Sequence, residues 1–140
     1  MTIYADSSVF VSLYIQDRQS AEVQRLLAKR ADLWLTPLHR AEWAHSVAQH
    51  VFHRKISADE AQTLYADFER DRESGAWIEV ALPQMAFERC IQIAQEHVRR
   101  LLSRTLDTLH IACALELGAE RFWTFDDRQA KLARAVGLKS

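Results

Sequence analysis

The chain has 140 residues, of which 49% are hydrophobic and 26% are charged, a composition typical of one compact globular domain with a full core. We therefore expect a single domain over residues 1–140. The formal net charge of -1 excludes a general basic field that would recruit nucleic acid, so a polyanionic ligand must be held by local arginines or through a metal ion.

Cysteine placement and hydropathy predict where the protein resides. Cys90 and Cys113 lie among apolar residues of helical stretches without the spacing of a metal site, so we interpret both as reduced core thiols. The N-terminal segment has neither the basic region nor the cleavage site of a secretion signal. No apolar run approaches the roughly 18 residues of a membrane span. The sequence therefore predicts a cytoplasmic protein that does not enter the membrane.

The first half of the chain alternates short apolar strands with helices. The segment TIYA, residues 2–5, is a predicted strand that ends at an aspartate. Helices are predicted over residues 7–15 and 20–29, followed by a second strand at DLWLT, residues 32–36. Pro37 stands at a first-turn position and predicts a long helix to about His53.

The second half continues the same alternation. Ser57 and Glu60 have capping-box spacing, which predicts a helix through about Arg72. WIEVAL is a predicted strand over residues 77–82, and Pro83 is expected to open the next helix. The remaining elements are a helix over residues 104–118 that ends at Gly118, a strand at RFWTF over residues 121–125, and a last helix that ends at Gly137.

Strands that alternate with helices imply a parallel sheet covered by helices on both faces. In open sheets of this kind, ligands bind beyond the carboxyl ends of the strands, where the loops into the following helices meet. Asp6 follows the first predicted strand at such a position. Asp126 and Asp127 follow the last strand, and Glu42 comes within about two helical turns of the second. The sequence therefore predicts that these acidic residues lie at the edge of the sheet where a ligand would bind.

The predicted helix RTLDTLHIACALELG is apolar on almost every side, which is typical of a helix in the interior of a domain. Asp107 and His110 share its thin polar strip. An unpaired carboxylate in apolar surroundings is costly, so we expect Asp107 to be protonated, paired or bound to a cation. The alternative is that Asp107 caps the helix or lies at its solvated edge.

Four acidic residues together predict a cation site if the fold brings them to one edge of the sheet. Their mutual repulsion would destabilise the fold unless a cation neutralised it. Carboxylate sites suit magnesium or manganese, and the ion keeps waters that a substrate phosphate can replace. Water activated by such ions is the usual nucleophile for phosphodiester hydrolysis. The four residues are Asp6, Glu42, Asp107 and Asp126.

Each of these acids also has an ordinary interpretation. Asp6 and Asp127 stand just before or at the start of predicted helices, where aspartate is a preferred N-cap. The helix of Glu42 is predicted to bury a set of small apolar side chains, which places Glu42 on the opposite, solvated side. These apolar side chains are Ala44, Val47, Ala48 and Val51.

The order and spacing of four motifs give the chain a resemblance to PIN-domain ribonucleases, and among them to VapC-type toxins of bacterial toxin–antitoxin pairs. The resemblance covers essentially the whole chain. The first motif is the N-terminal strand that ends in Asp6-Ser7-Ser8, and the second is PLHRAE, which ends at Glu42. The third is RTLDTLHIACAL with Asp107, and the fourth is FWTFDDRQAKLARAVGL with Asp126.

The resemblance implies a three-layer α/β/α sandwich with a mostly parallel central sheet. It further implies that Asp6, Glu42, Asp107 and Asp126 bind Mg²⁺ or Mn²⁺ and catalyse hydrolysis of single-stranded or tRNA-like RNA. Ser8 is then a polar support, and Asp127 a neighbour that assists or substitutes. A homodimer and a cognate antitoxin are the implied partners, with the helices from Pro37 to Arg72 lining the antitoxin groove. Many relatives carry an aromatic residue where this chain has Gln129.

Basic and aromatic residues flank the acidic ones. Arg104 precedes the helix of Asp107, and its guanidinium could hold an RNA phosphate or simply lie in solvent at the helix end. The same two interpretations apply, with weaker support, to Arg99, Arg100 and Arg128. His110 is interpreted as a residue that supports the site or the packing rather than as a metal ligand. The tryptophans Trp34, Trp77 and Trp123 are interpreted as core, whereas Trp43 lies beside Glu42.

Three other functions fit the sequence less well. A phosphoryl-acceptor signalling domain needs paired acids after the first strand, where only Asp6 stands. A haloacid-dehalogenase-type phosphatase needs a second aspartate where Ser8 stands. A catalytically silent PIN-like scaffold that binds a protein or RNA partner is the main alternative, and the intact acidic quartet disfavours it.

Overall fold

The computed structural model describes residues 1–29 and 32–140. Its strands are β1 (Thr2–Ala5), β2 (Asp32–Leu35), β3 (Ile78–Glu79) and β4 (Arg121–Trp123). Its α-helices are α1 (Ser7–Tyr14), α2 (Ser20–Leu27), α3 (Pro37–Phe52), α4 (Ala58–Glu73), α5 (Ala86–Ile93), α6 (Thr105–Leu117) and α7 (Asp127–Ala135). A π-helical turn, Ala94–Val98, follows α5 directly.

The four strands form one sheet in the order β3-β2-β1-β4, and every pair is parallel. Alternate residues of β1 enter two different cores because successive side chains of a strand point to opposite faces. Ile3 and Ala5 pack with α1 to α4, whereas Tyr4 packs with α5 to α7. The predicted three-layer α/β/α sandwich with a parallel central sheet is thus confirmed.

Most predicted helix ends are confirmed by their caps. The Ser57 hydroxyl accepts the Glu60 N–H, and the Glu60 carboxylate accepts the Ser57 N–H, which completes the capping box of α4. Gly118 ends α6 in the left-handed conformation with φ of 68°, which glycine adopts without steric cost. Gly137 follows α7 with φ of 94°.

Two predicted elements differ most from the structure, whereas the others differ by one or two residues at their ends. Pro83 does not open α5, which begins three residues later, after a turn in which the Ala86 N–H donates to the Pro83 carbonyl over 3.0 Å. The third strand is limited to Ile78–Glu79, although WIEVAL predicted six residues. Both residues of β3 are exposed at the sheet edge, where an apolar run gains little from pairing.

The strand order places the acidic loops together. β1 lies between β2 and β4. After β1, the chain adds β2 and then β3 on one side of it, and it later adds β4 on the other side. A crevice therefore opens between the loops that follow β1 and β4, at the topological switch point of the sheet. Asp6 leaves β1 there, with its N–H donating to the Trp123 carbonyl over 2.8 Å, and Asp126 leaves β4.

The two cysteines are free thiols, as predicted. Burial raises the pKa of the Cys113 thiol to about 11, which keeps it protonated and unreactive at neutral pH. Within residues 1–29 and 32–140, no helix combines the length and the apolar character that a membrane crossing requires.

The capping box of α4 yields the first prediction. Ser57→Ala removes the acceptor of the Glu60 N–H, and we expect the free energy of unfolding to fall by about 1 kcal/mol in denaturant melts. Thr63→Ala on the exposed face of the same helix is the matched control and should be neutral or slightly stabilising, because alanine is the better helix former. Equal effects of the two substitutions would contradict the role of the cap.

Candidate active site

Asp6 stands at the centre of the acidic cluster, between the end of β1 and the start of α1. It occupies the N-cap position of α1, but its side chain makes no capping hydrogen bond, so the capping interpretation is wrong for this residue. The Ser8 hydroxyl donates to Asp6 Oδ2 over 2.7 Å, in agreement with the prediction that Ser8 supports the acid. Asp6 Oδ1 has no hydrogen-bond partner among the residues that the structure describes.

The Asp6 carboxylate is electrostatically unfavourable in this position. Burial raises the pKa of the Asp6 carboxyl above its ordinary value, and repulsion by Asp107 and Glu42 raises it further. The attraction of His110 and the hydrogen bond from Ser8 oppose this rise without cancelling it. The protein's own groups therefore do not fully compensate the negative charge of Asp6.

Glu42 lines the same cleft as Asp6, although the pattern of apolar residues in its helix predicted that it would face solvent. The buried positions of α3 are His39, Trp43 and Val47, whereas Ala44 and Ala48 are exposed. The predicted orientation of α3 was wrong because the two alanines carry little apolar surface, and because a histidine and a tryptophan determine the buried face. Glu42 therefore lies at the edge of that face, with its side chain 25% exposed.

The Glu42 carboxylate is held by two donors on one oxygen. Ser7 Oγ donates to Glu42 Oε1 over 2.8 Å, and His110 Nε2 contacts the same oxygen. Burial acts to raise the pKa of the Glu42 carboxyl, but the hydrogen bond and attraction of His110 and the hydrogen bond of Ser7 outweigh burial and lower this pKa. Glu42 Oε2 has no hydrogen-bond partner in the described part of the chain.

Asp107 lies at the rim of the buried helix rather than inside it. The buried stretch of α6 runs from Thr108 to Ala114, and the Asp107 side chain is 15% exposed. Its carboxylate does not cap the helix but accepts from Arg104 Nε over 3.0 Å, and this bond raises the pKa of the Arg104 guanidinium. The expectation that Asp107 would be protonated, paired or bound to a cation is met by the ion pair with Arg104, and the side chain lies at the solvated edge of the helix rather than in its interior.

Asp126 has a structural role in addition to its predicted one. Its Oδ1 accepts the Gln129 N–H over 2.8 Å and caps α7, so the capping expected of Asp127 belongs to Asp126 instead. Asp126 Oδ2 has no hydrogen-bond partner among the described residues. Asp127 is the first residue of α7 and is exposed beside Arg128.

The predicted site residues line two adjoining clefts. Asp6, Glu42 and Asp107 line a cleft of about 270 Å³, together with the two serines that follow Asp6. Asp126, Asp127 and Arg128 line a second cleft of about 630 Å³. Asp107 and Arg104 belong to both clefts. The structure thus brings three of the four acids to one cleft. Asp126 lies in the adjoining cleft, and Asp107 lines both.

Two residues that the sequence analysis missed hold the site together. Ser7 bonds Glu42, as described above, although a serine at a helix start carries no signal that distinguishes it from an ordinary cap. Gln129 is 1% exposed and accepts from Thr124 Oγ1 over 2.7 Å. Its Nε2 donates to the Asp107 carbonyl over 3.2 Å, which ties the loop of Asp126 to the first turn of α6. A polar residue in an amphipathic helix can indicate such a tie, but its partner cannot be found from spacing.

The aromatic and basic neighbours separate into core and surface. Trp43 stacks on Phe68 with ring centroids 4.2 Å apart and is 2% exposed, so it belongs to the core and offers no platform for a base. Arg128 lines the second cleft, whereas Arg99 and Arg100 are exposed and line neither cleft.

The donor set fits a hard divalent cation that keeps most of its waters. Among the described residues, no three His, Cys, Asp or Glu side chains stand close enough to hold one metal ion together. Magnesium usually needs only one or two carboxylates, with waters and substrate phosphate completing its shell. The uncompensated charge of Asp6, and the unpartnered oxygens of Asp6 and Glu42 in one cleft, meet that requirement.

The family of the chain follows from comparison with known proteins. A family model described as PIN domain matches residues 3–135, which is most of the chain. The chain therefore belongs to the PIN domain family.

The chain is similar to a curated VapC protein and to several solved structures of the same fold. The chain is 29% identical to Ribonuclease VapC46 of Mycobacterium tuberculosis over 139 residues, which cover 97% of this chain and 93% of that protein. The crystal structure of M. tuberculosis VapC20, a toxin that cleaves the sarcin-ricin loop, has a TM-score of 0.71 at 17% identity and covers 97% of this chain and 95% of that chain.

A second solved structure of the same fold is VapBC2 from Rickettsia felis, bound to a DNA fragment from the promoter of its genes. It has a TM-score of 0.69 at 15% identity and covers 99% of this chain and 96% of that chain. FitAcB from Neisseria gonorrhoeae has a TM-score of 0.68 at 17% identity and covers 94% of this chain and 93% of that chain. The resemblance to VapC-type PIN proteins is confirmed by these comparisons.

The charge of Asp6 yields the second prediction. Asp6→Asn keeps an acceptor for Ser8 and removes the charge, so the metal-free variant should be more stable than the unsubstituted chain at neutral pH. Because the folded-state pKa of Asp6 is raised, the penalty is present above that pKa and is relieved as the pH falls through it. The difference in unfolding free energy should vanish below the ordinary aspartate value of 3.8.

The measurement is a pair of denaturant melts in chelator at several pH values. Asp67→Asn on α4 is the matched control, because the carboxylate of Asp67 pairs with Arg70 on the surface and its removal should give no gain. A variant at Asp6 that is less stable than the unsubstituted chain at neutral pH would contradict the electrostatic account.

Proposed function

We propose that the chain is a metal-dependent endoribonuclease that acts as the toxin of a toxin–antitoxin pair. One observation carries the proposal: the carboxylates of Asp6, Glu42 and Asp107 line one cleft at the carboxyl edge of a parallel sheet, in a chain of the PIN domain family. The similarity to Ribonuclease VapC46 supports RNA as the substrate class. Single-stranded or tRNA-like RNA is the proposed substrate.

The cation would be Mg²⁺ or Mn²⁺, bound by one or two of the three carboxylates in the cleft, Asp6, Glu42 and Asp107, with waters completing its shell. Asp126 approaches from the adjoining cleft, and Asp127 is its neighbour there. A divalent ion at such a site supplies an activated water and neutralises charge on the phosphate that is attacked. The protein itself contributes carboxylates whose positions are set by Ser8, Ser7 and the α6 helix.

Arg104 is the residue best placed to bind a phosphate of the RNA. Its side chain is 86% exposed, and among the described residues only its Nε makes a hydrogen bond, so the terminal nitrogens of the guanidinium can donate to a phosphate oxygen without breaking the bond to Asp107. Arg128 lies in the second cleft and extends the basic contact along the strand. These local arginines offset the repulsion between RNA and the acidic cleft.

The partners that we propose are a cognate antitoxin and a second copy of the chain in a homodimer, in the cytoplasm. A cleft of about 600 Å³ beside α3 and α4 supports the proposed antitoxin groove. Its wall includes three apolar residues, Ile15 at the end of α1, Ile56 in the loop between α3 and α4, and Leu64 on α4. A groove of this kind suits an amphipathic segment of a partner.

The third prediction concerns cleavage. Asp107→Asn should lower hydrolysis of single-stranded RNA in Mg²⁺ or Mn²⁺ by at least about 100-fold, because it removes a carboxylate of the cation site. The unfolding free energy of the metal-free protein should change by less than about 1 kcal/mol, since Arg104, the ion-pair partner of Asp107, is 86% exposed and solvent screens the pair. Asp67→Asn is the control and should cleave normally.

The same assay separates the proposal from its alternative. A catalytically silent scaffold is favoured by one observation, that Glu42, Asp107 and Asp126 each already have a protein partner. A scaffold would bind RNA or protein but hydrolyse nothing with or without metal. Cleavage by the unsubstituted chain that survives chelation, or that persists in Asp107→Asn, would contradict the proposed metal site.

The fourth prediction concerns association. Light scattering should give a mass of about twice 16.2 kDa for the chain alone, and the product of the adjacent upstream gene should bind it and suppress cleavage. Ile56→Asp, which introduces a charge into the groove, should weaken antitoxin binding and leave RNA cleavage unchanged. A strictly monomeric chain that is indifferent to the upstream gene product would contradict both proposed partners.

A further inference from the structure

We propose that His110 is a positioning residue that sets the orientation of the Glu42 carboxylate, so that one oxygen is anchored and the other is presented to the cation. The inference rests on the proposed function and deepens it. The sequence indicated only that His110 supports the site or the packing, without saying which residue it contacts.

His110 has both ring nitrogens engaged and no exposure to solvent. Its Nδ1 lies 2.8 Å from the Tyr4 hydroxyl. Its Nε2 contacts Glu42 Oε1 and lies 3.1 Å from Ser7 Oγ. The His110 ring on α6 therefore links Tyr4 of β1 to Glu42 of α3.

The direction of the bond to Glu42 follows from donor and acceptor chemistry. An ionised carboxylate can only accept, so the hydrogen that is shared with Glu42 must reside on His110 Nε2. This holds whether the imidazole is neutral or protonated. Burial raises the pKa of the Tyr4 hydroxyl, so Tyr4 keeps its proton and remains beside Nδ1. Glu42 therefore receives a donor whose position is fixed from the other side of the ring.

The ring itself cannot turn to another partner. It packs edge-on against Tyr4 with centroids 5.7 Å apart, and His39 lies 4.8 Å away on another side. His39 is tied in turn, because its Nε2 lies 2.7 Å from the Ala5 carbonyl, directly before Asp6. Burial lowers the pKa of His39 well below its ordinary value, so this neighbour adds packing and no charge.

The anchoring matters because glutamate is flexible. The carboxylate of a partly exposed glutamate on a helix samples several rotamers, and ordering it costs free energy each time a ligand binds. Both anchors of Glu42 engage Oε1, which leaves Oε2 without a partner among the described residues and in the cleft of Asp6 and Asp107. His110 and Asp107 share α6, so one helix sets the positions of two of the acids.

The test compares Mn²⁺ affinity in variants of one position. His110→Met removes the donor and keeps an apolar side chain of similar length, and it should weaken Mn²⁺ binding by about 10- to 100-fold in calorimetry. His110→Gln places an amide N–H near the position of Nε2 and should recover much of that affinity. Thermal melts check that both variants fold. Tyr4→Phe keeps the ring and removes only the hydroxyl beside His110 Nδ1, so it should also weaken Mn²⁺ binding. This variant keeps the proposal testable even where His110→Met does not fold.

A double-mutant cycle separates positioning from a general structural effect. If His110 acts through Glu42, His110→Met should cause no further loss of Mn²⁺ affinity in a chain that already carries Glu42→Gln. Unchanged affinity in His110→Met, or losses that add in the double variant, would overturn the positioning role while the unsubstituted chain still binds Mn²⁺ and cleaves RNA. An unsubstituted chain that does neither would overturn the proposed function, and the positioning role with it.

Discussion

Repulsion among carboxylates in a partly desolvated cleft is the constraint to which the rest of the site is adapted. Burial and the charges of Asp107 and Glu42 both raise the pKa of Asp6, so the folded chain carries a charge that its own groups do not fully compensate. Different elements provide partial relief. Ser8 on α1 bonds Asp6, and Arg104 before α6 pairs with Asp107. These partners stabilise the cluster and leave at least one oxygen of Asp6 without a donor.

Topology explains why the chain tolerates this arrangement. The strand order opens a crevice between the ends of β1 and β4, where polar side chains of the loops and of neighbouring helices meet. The core on either side supplies the rigidity that holds like charges in place. Tyr4, Phe122 and the buried face of α6 pack under the crevice, whereas Phe10 and Trp43 pack on the opposite face of the sheet. The packing of those two cores offsets the repulsion among the carboxylates of the acidic cleft.

The sequence predicted the parts of the fold that local chemistry determines. Strand ends, the capping box at Ser57 and the glycine at the end of α6 depend on neighbours a few residues away, so periodicity and cap residues were sufficient. Asp6 and Asp126 were placed correctly at the sheet edge because strand ends of a parallel sheet share that edge. The buried extent of α6 was also predicted, although Asp107 lies at its rim.

The parts that were missed depend on contacts between distant residues. Glu42 was placed on the solvated side because small apolar residues were weighted equally with His39 and Trp43. The bond from Ser7 to Glu42 joins residues 35 positions apart, and that from Tyr4 to His110 joins residues 106 apart, so no spacing rule could reveal them. Gln129 shows the same limit, since an aromatic residue there in relatives gave no indication of a hydrogen bond to α6.

The central claim is that a divalent cation relieves the charge of the acidic cleft. The most direct measurement is the unfolding free energy of the unsubstituted chain as Mn²⁺ is titrated into metal-free protein. The account predicts a rise that follows the occupancy of one saturable site, about 2.7 kcal/mol at 100 times the dissociation constant, and no comparable rise with an equal ionic strength of sodium chloride. A free energy of unfolding that is independent of Mn²⁺, or that rises equally with sodium chloride, would contradict it.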